Sequence, residues 1–440
     1  MENRVWYSLY DKLLDYQFLK DAFRKVKSAN GAPGIDGQSC KDFAFVLDKE
    51  LDSLLKELTK KTYSPLPVKR VEIPKPDGGI RKIGIPTVRD RVVQQALKHI
   101  LEPLFNPWFH PSNYGYRPKM GAHNAIAKAT AFMRTYGLNW VVDMDLSKCF
   151  DTLDHDLIIR AVRTRVADGS ILRLIRMFLE SGVMHFGELE PTFVGSPQGG
   201  VISPLLANIY LDNFDQFMKS RGHRIVRHAD DIVIFKASKS GADNALKTAS
   251  DYLEKHLKLT VNREKTHITS LSRGMSYLGV VIYPHYTQIQ AKRLQTFKKK
   301  VKARTHRNSP VNLKKILDDL NPLLRGFANY FKVANCTKVF GALMGWVRRR
   351  LRAMYLMIGQ LTIIPCCGHH HSHRQKSSFF SWYPGRKGRL SYRRKMRTVP
   401  ETAITVPARP RRVGRSFSRK NITGIMKMGS VAMRVAAMPV

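Results

Sequence analysis

The sequence predicts an α+β protein, and three observations carry that expectation. Strand-like and helix-like segments interleave without strict βαβ repetition. Two short β-rich runs, "VKRVEIP" and "IRKIGIP", flank "KPDGG", and Asp-Gly is a strong hairpin signal. From about residue 290 the pattern turns helical and basic, with Leu313, Ile316, Leu317 and Leu320 at helical spacing.

Taken in order, the first fifty residues read as helical pieces through Leu13, Leu14, Phe18, Leu19 and Phe23, broken by the glycine-rich "NGAPGIDG". A Lys-rich helix over 51–61 precedes the hairpin, and a helix from about 88 to 104 follows it. After "NPWFHPSNYGYRP" another helix begins near residue 121 and leads into the strand "WVVDMDLSKCF". Residues 156–180 and 203–219 read as helical, "RIVRHADDIVIF" as a hairpin, 240–258 as a helix and "MSYLGVVIY" as one strand. "LLRGFANYFK" continues the later helices, and periodicity fades beyond about residue 357. The last 81 residues hold 17 Lys or Arg against one acid, Glu401, with scattered Pro and Gly. They read as a mobile basic tail. No internal repeat is evident.

The chain has 440 residues, 43% of them hydrophobic, so it can bury a sizeable core and is expected to hold more than one structural unit. Seventy-five Lys and Arg against 34 Asp and Glu give a formal charge of +41. Such an excess favours a polyanionic partner, because neutralising phosphates releases condensed counterions. No apolar run of membrane-spanning length and no secretory signal is read, so no membrane partner is expected. Cys40, Cys149, Cys336, Cys366 and Cys367 form no repeated CxxC pattern, which argues for a reducing compartment over a disulfide framework.

Three segments carry the chemistry. In "VVDMDLSKCF" the side chains of Asp143 and Asp145 project to one face of a strand, because strand side chains alternate with period two. In "RHADD" a tight turn between apolar arms holds Asp230 at its tip, with Asp231 beside it. "GSPQGGVISPLLANIYL" is a glycine-rich turn entering a helix. Clustered carboxylates repel, and without a cation one of them is driven to protonate. Mg²⁺ compensates, taking one or two protein carboxylates plus substrate phosphates. Two such ions can activate a hydroxyl and stabilise a leaving pyrophosphate in an in-line displacement. A lone "DD" in a loop is commonplace; the three segments together with the charge of +41 are not.

The ordered series "NGAPGIDG", "IPKPDGGIRKIGIPTVRDRVVQQAL", "NYGYRP", "DMDLSKCFDTLDHDLI", "GSPQGGVISPLLANIYLDNFD", "RHADDIVIF", "NREKTHI" and "YLGVVI" resembles the reverse transcriptases encoded by group II introns. It covers roughly residues 28–285, and "LNPLLRGFANYFK" through "WVRRRLR" resembles their maturase thumb, to about residue 355. The resemblance implies a right-hand polymerase, its fingers and palm carrying antiparallel sheet, followed by an α-helical thumb. It implies an N-terminal extension over 1–50, fingers over 51–125, palm over 126–289, a helical thumb and maturase domain over 290–358, and the basic tail over 359–440.

The same resemblance gives the matching residues their roles. Asp145, with Phe150 five residues on, resembles the first catalytic aspartate; Asp143 does not fit that spacing. Asp230 matches the second metal-ligating aspartate and Asp231 its neighbour, with the Leu146 carbonyl a further ligand. Phe150 resembles the aromatic gate against a ribose 2′-hydroxyl. Lys75 and Arg81 match the pair gripping the incoming triphosphate. Gln198 resembles the residue on the nucleotide sugar, Gly199 lets the backbone approach closely, and Lys265 resembles a general acid toward pyrophosphate. His228 departs from the usual Tyr-Ala-Asp-Asp; its smaller ring would position a primer terminus more loosely.

Two Mg²⁺ ions, with Mn²⁺ as a substitute, are the expected cofactors. The expected partners are an RNA template or intron RNA, a DNA primer or target, and dNTPs. Localisation is expected to be cytoplasmic or nucleoid-associated in a bacterium, with an organellar origin left open. The tail carries "CCGHHHSH" but no second cysteine pair, so neither an HNH nuclease nor a tetrahedral zinc site is expected from ligands this crowded. Two alternatives stay open: a splicing maturase with weakened polymerase activity, and a host-adapted defence reverse transcriptase.

Overall fold

The computed structural model describes residues 4–74, 78–185, 188–192, 194–195, 199–306, 309 and 311–361, with side chains through residue 356. Lys75, Gln198 and the whole "CCGHHHSH" tract lie outside these residues. The chain divides into two units, residues 1–297 with 329–336, and 298–328 with 337 onward.

The first unit opens with three helices, α1 (Tyr16–Ala29), α2 (Cys40–Phe45) and α3 (Leu47–Lys60). Each has a local reason to start or stop. The Asp15 carboxylate accepts from the Gln17 N–H at the start of α1, and Ser39 and Asp42 form a capping box on α2. Asn30 and Lys61 take left-handed conformations that end α1 and α3. Strands β1 (Val68–Pro74) and β2 (Ile80–Ile85) form the expected hairpin, Ile73 opposite Arg81. Helix α4 (Val88–Phe105) follows, capped by Thr87, whose hydroxyl accepts from the Asp90 N–H.

Next come α5 (Ala122–Arg134), β3 (Trp140–Met144), α6 (His155–Arg163) and α7 (Gly169–Leu179). The helix expected over 156–180 is therefore two, separated where Asp168 caps α7. Short strands β4 (Val183–His185) and β5 (Glu188–Glu190) extend the β1–β2 sheet in the order β2-β1-β4-β5. Helix α8 (Ser203–Ser220) leads to β6 (Arg224–His228), β7 (Asp231–Lys236), α9 (Lys239–Lys255) and β8 (His267–Ser270). These complete an antiparallel sheet of order β6-β7-β3-β8.

The segment expected as one strand, "MSYLGVVIY", is a hairpin of β9 (Met275–Tyr277) and β10 (Val280–Ile282), with β11 (Thr287–Ile289) completing a three-stranded sheet. Leu278 and Gly279, at φ +45° and +86°, form the two-residue turn between Tyr277 and Val280. Positive φ at both positions is the signature of a type I′ turn, whose twist suits a hairpin.

Helices α10 (Ala291–Arg304), α11 (Leu313–Phe331) and α12 (Thr337–Leu361) close the described chain. In the second unit Ile316, Leu317, Leu320 and Leu324 of α11 are buried at helical spacing, as are Phe340, Leu343, Met344, Val347 and Leu351 of α12. Arg350 donates to the Thr305 hydroxyl at 2.7 Å and carbonyl at 2.6 Å, fastening α12 to the end of α10. Among the described residues no helix is long and apolar enough to cross a membrane.

Candidate active site

β3 and β7 lie side by side, Asp143 opposite Val233 and Met144 opposite Ile232. Val142, Met144, Ile232 and Ile234 point into the main core. By alternation Asp143, Asp145 and Asp231 therefore share the opposite face. The β6–β7 hairpin closes with His228 opposite Asp231, leaving Ala229 and Asp230 as a two-residue loop. Ala229 takes φ +61°, the left-handed conformation that a type II′ loop needs at its first position. Asp230 thus stands at the tip, beside the carboxylate face.

The segment "NREKT" wraps Asp145. Its carbonyl accepts from the Asn262 N–H at 2.9 Å, and its Oδ2 accepts from Asn262 Nδ2 at 3.3 Å. Lys265 Nζ lies 3.4 Å from the same oxygen, so the lysine expected near pyrophosphate is set against the first aspartate. Leu146 faces Val261 across an isolated bridge, whose bonds run from Ser147 N–H to the Thr260 carbonyl and from Asn262 N–H to the Asp145 carbonyl. Neither bond uses the Leu146 carbonyl.

Burial and the neighbouring carboxylates both act on the acids of this face. Burial, followed by the Asp230, Asp143 and Asp145 carboxylates, pushes Asp231 up to about 7, although its side chain keeps solvent contact; Arg293 at the start of α10 opposes the shift. Burial raises Asp143 to about 6 against the pull of His267, with Asp145 adding to the rise. Among the described residues no three His, Cys, Asp or Glu side chains converge to hold an ion unaided. The donor set fits a divalent cation: carboxylate oxygens whose mutual repulsion such an ion would relieve.

The comparisons with known proteins bear on this geometry. Residues 73–282 match a family described as reverse transcriptase (RNA-dependent DNA polymerase), and residues 294–357 match the group II intron, maturase-specific domain. Protein YkfC of Escherichia coli strain K12 is 35% identical over 302 residues, covering 60% of this chain and 79% of its own length. The chain belongs to the group II intron-encoded reverse transcriptase and maturase family.

Other relatives of this reverse transcriptase include the group II intron-encoded protein LtrA of Lactococcus lactis subsp. cremoris, 28% identical over 69% of this chain and 60% of that protein. A putative COX1/OXI3 intron 2 protein of Saccharomyces cerevisiae is 27% identical over 60% of this chain and 38% of that protein. The chain thus spans less than two thirds of either intron protein. Among solved structures, a telomerase from Candida albicans matches 68% of this chain and 61% of that chain, at 14% identity and a TM-score of 0.40. By family the protein is an RNA-directed DNA polymerase, and reverse transcriptases use divalent metal ions.

Around the carboxylates, Phe150 meets Tyr116 edge to face, ring centroids 6.4 Å apart. Tyr116 was not singled out from sequence, yet its hydroxyl senses both Asp230 and Arg81: burial raises its pKa first, Asp230 adds to the rise and Arg81 opposes it. Arg81 is exposed on β2. At Gly199 the φ is +121°, and a Cβ would lie 2.4 Å from the Gly84 carbonyl oxygen. The close approach is to strand β2. The Gly195 N–H donates to the Leu153 carbonyl at 2.8 Å. The Val201 N–H donates to the Gln94 side chain at 2.7 Å. Gln94 thus has a role in the fold that the sequence reading of a helix from about 88 to 104 did not show.

Proposed function

We propose that this reverse transcriptase copies RNA into DNA with Asp145 and Asp230 holding two Mg²⁺ ions, for which Mn²⁺ could substitute, and with Asp231 beside them. The observation that carries the reading is the shared face of Asp143, Asp145 and Asp231 with Asp230 at the adjoining turn. When bound, the ions would activate the primer 3′-hydroxyl and stabilise the leaving pyrophosphate. The 3′-oxygen bonds to the α-phosphorus of the incoming nucleotide, the bond to pyrophosphate breaks, and the hydroxyl proton passes to solvent water. The Leu146 carbonyl, free of the Val261 bridge, is a candidate additional ligand.

The protein supplies positioning and charge. Arg81 and Lys75 would grip the triphosphate, and Gln198 with Gly199 would meet the sugar. Phe150, braced by Tyr116, would exclude a 2′-hydroxyl. Lys265, now paired with Asp145, could protonate pyrophosphate only after leaving that carboxylate. We assign residues 51–125 to fingers, 126–289 to palm, 290–358 to thumb, 1–50 to an N-terminal extension and 359–440 to a basic tail. Helix α10 carries seven Lys or Arg and no acid, a surface suited to a template–primer duplex or intron RNA. Binding of intron RNA would let the protein assist splicing and retrohoming.

A second reading, a maturase with weakened polymerase activity, is favoured by His228 in place of the usual tyrosine. Primer extension separates the two. The expected outcome is Mg²⁺-dependent extension of a DNA primer on an RNA template, abolished by Asp230→Ala with RNA binding retained. Tight RNA binding without extension by the folded wild-type chain would select the maturase reading.

A further inference from the structure

Three motifs of this chain, "NYGYRP", "LANIYLDNFD" and "RHADD", meet in one buried hydrogen-bonded bracket that the reaction above does not use. Its centre is Arg227, the largest fully buried side chain among the described residues. Arg227 and Asp215 both have side-chain exposures of 0%. The guanidinium Nε donates to both Asp215 oxygens at 2.9 Å, and Nη2 donates to Oδ2 at 2.6 Å. Its remaining nitrogen, Nη1, donates to Asn208 Oδ1 at 3.0 Å and to the Ala229 carbonyl at 3.0 Å. Ala229 is the left-handed residue of the turn, and its carbonyl belongs to the peptide group that leads into Asp230.

The bracket also grips the turn from the other side. The Arg227 N–H donates to the Ser112 carbonyl, and the Tyr114 N–H donates to the Arg227 carbonyl, each at 2.9 Å. Asn208 Nδ2 donates to the Gly115 carbonyl at 2.8 Å. Gly115 lies so close to the turn that a Cβ there would sit 2.1 Å from the Ala229 nitrogen.

We propose that Arg227, oriented by Asp215 and Asn208, is a positioning residue that fixes the Ala229 peptide and through it the Asp230 carboxylate. Stability alone does not explain the pair. Desolvating two charges costs as much as their attraction returns, and apolar residues of similar volume serve a core equally well or better. What apolar residues cannot supply is the directional bond to the Ala229 carbonyl, which restrains a left-handed alanine that would otherwise favour other conformations. The bidentate fork on Asp215 leaves one guanidinium nitrogen aimed at the turn, a division of labour that a lysine cannot reproduce. This inference rests on the polymerase reading of Asp230.

The test uses the full chain carrying Arg227→Met with Asp215→Leu, which removes both charges together, and separately Arg227→Lys, which keeps the charge opposite Asp215. The measurements are thermal unfolding, Mn²⁺ binding by electron paramagnetic resonance, and steady-state primer extension. For the double variant the expected result is a midpoint near wild type and Mn²⁺ binding weakened at least tenfold. Its kcat should fall at least thirtyfold while KM for dNTP stays within threefold. Arg227→Lys should share the kcat loss. A folded variant of either kind with Mn²⁺ affinity and kcat within threefold of wild type would overturn the proposal. Unfolding of both would overturn it too, leaving Arg227 a role in stability alone. Should wild type itself fail to extend a primer, the polymerase reading falls, while the Mn²⁺ titration still reports on the turn.

Discussion

His228 sits at the end of β6, half-buried, with burial holding its imidazole below the usual histidine range. A tyrosine there would offer a larger ring to a primer terminus. His228→Tyr is expected to lower KM for primer–template about threefold to tenfold, the range that aromatic contacts of this kind supply. Unchanged primer affinity in a steady-state titration would show that this position does not touch the primer. Phe150→Val tests the neighbouring aromatic: its clash with a 2′-hydroxyl is expected to relax, raising kcat/KM for rNTP relative to dNTP by at least about tenfold. At this scale much of the candidate site was legible. Asp145, Asp230 and Asp231 stood out because carboxylates inside apolar runs require a reason. Arg227 did not, because one arginine among 75 basic residues gives no local sign of being wholly buried.

Helix α8 illustrates what becomes visible only with packing. From sequence it reads only as a helix; in the fold Asp212 and Asp215 lie on its buried side. Burial, with Asp215 adding to it, raises Asp212 to about 6, against the Gln216 and His110 hydrogen bonds and the Arg227 charge. Arg117 and Arg165 also feel its charge. An unfolded Asp212 titrates near 3.8, so the folded state binds its proton more tightly. Its contribution is neutral below pH 4, grows more destabilising between pH 4 and 6, and reaches up to about 3 kcal/mol above that. Asp212→Asn is therefore expected to raise the unfolding midpoint at pH 7–8 and to lose that gain below pH 4. Equal midpoints at pH 8 would refute the assignment. The β9–β10 hairpin was missed for a different reason: Leu-Gly is a poor type I′ signal, since leucine resists the left-handed conformation that Leu278 adopts. Leu278→Asn is expected to stabilise the protein by about 1 kcal/mol in chemical denaturation.

For the whole molecule, the charge of +41 was legible at once, and its distribution was partly so. The α10 lysines stand in sequence as a run without acids, and nothing about folding hides them. Replacing Lys298, Lys299, Lys300 and Lys302 with Gln is expected to flatten the dependence of log K on log salt for RNA or hybrid binding. Each phosphate that is no longer neutralised should reduce the slope by about 0.7–0.9. Binding indifferent to ionic strength in the wild type would contradict a phosphate-dominated surface. The α+β class was readable from alternating periods and a strong Asp-Gly hairpin. Which strands are neighbours was not, because β3 sits between β7 and β8, far apart in sequence, and register of that kind is set by tertiary packing.

The bracket at Arg227 carries a consequence for anyone who recombines such polymerases. Its members come from three stretches around residues 112–115, 208–215 and 227–229, nearly 120 positions apart, yet they complete one hydrogen-bonding set. A crossover placed between them joins halves drawn from different parents. Where the parents differ at Asp215 or Arg227, the hybrid inherits an unpaired charge in the interior, and where they differ at Asn208 it loses the bonds to Arg227 and Gly115. Chimeras should therefore exchange residues 112–229 as a single cassette, and libraries cut elsewhere should be enriched for survivors whose parents already agree at Asn208, Asp215 and Arg227.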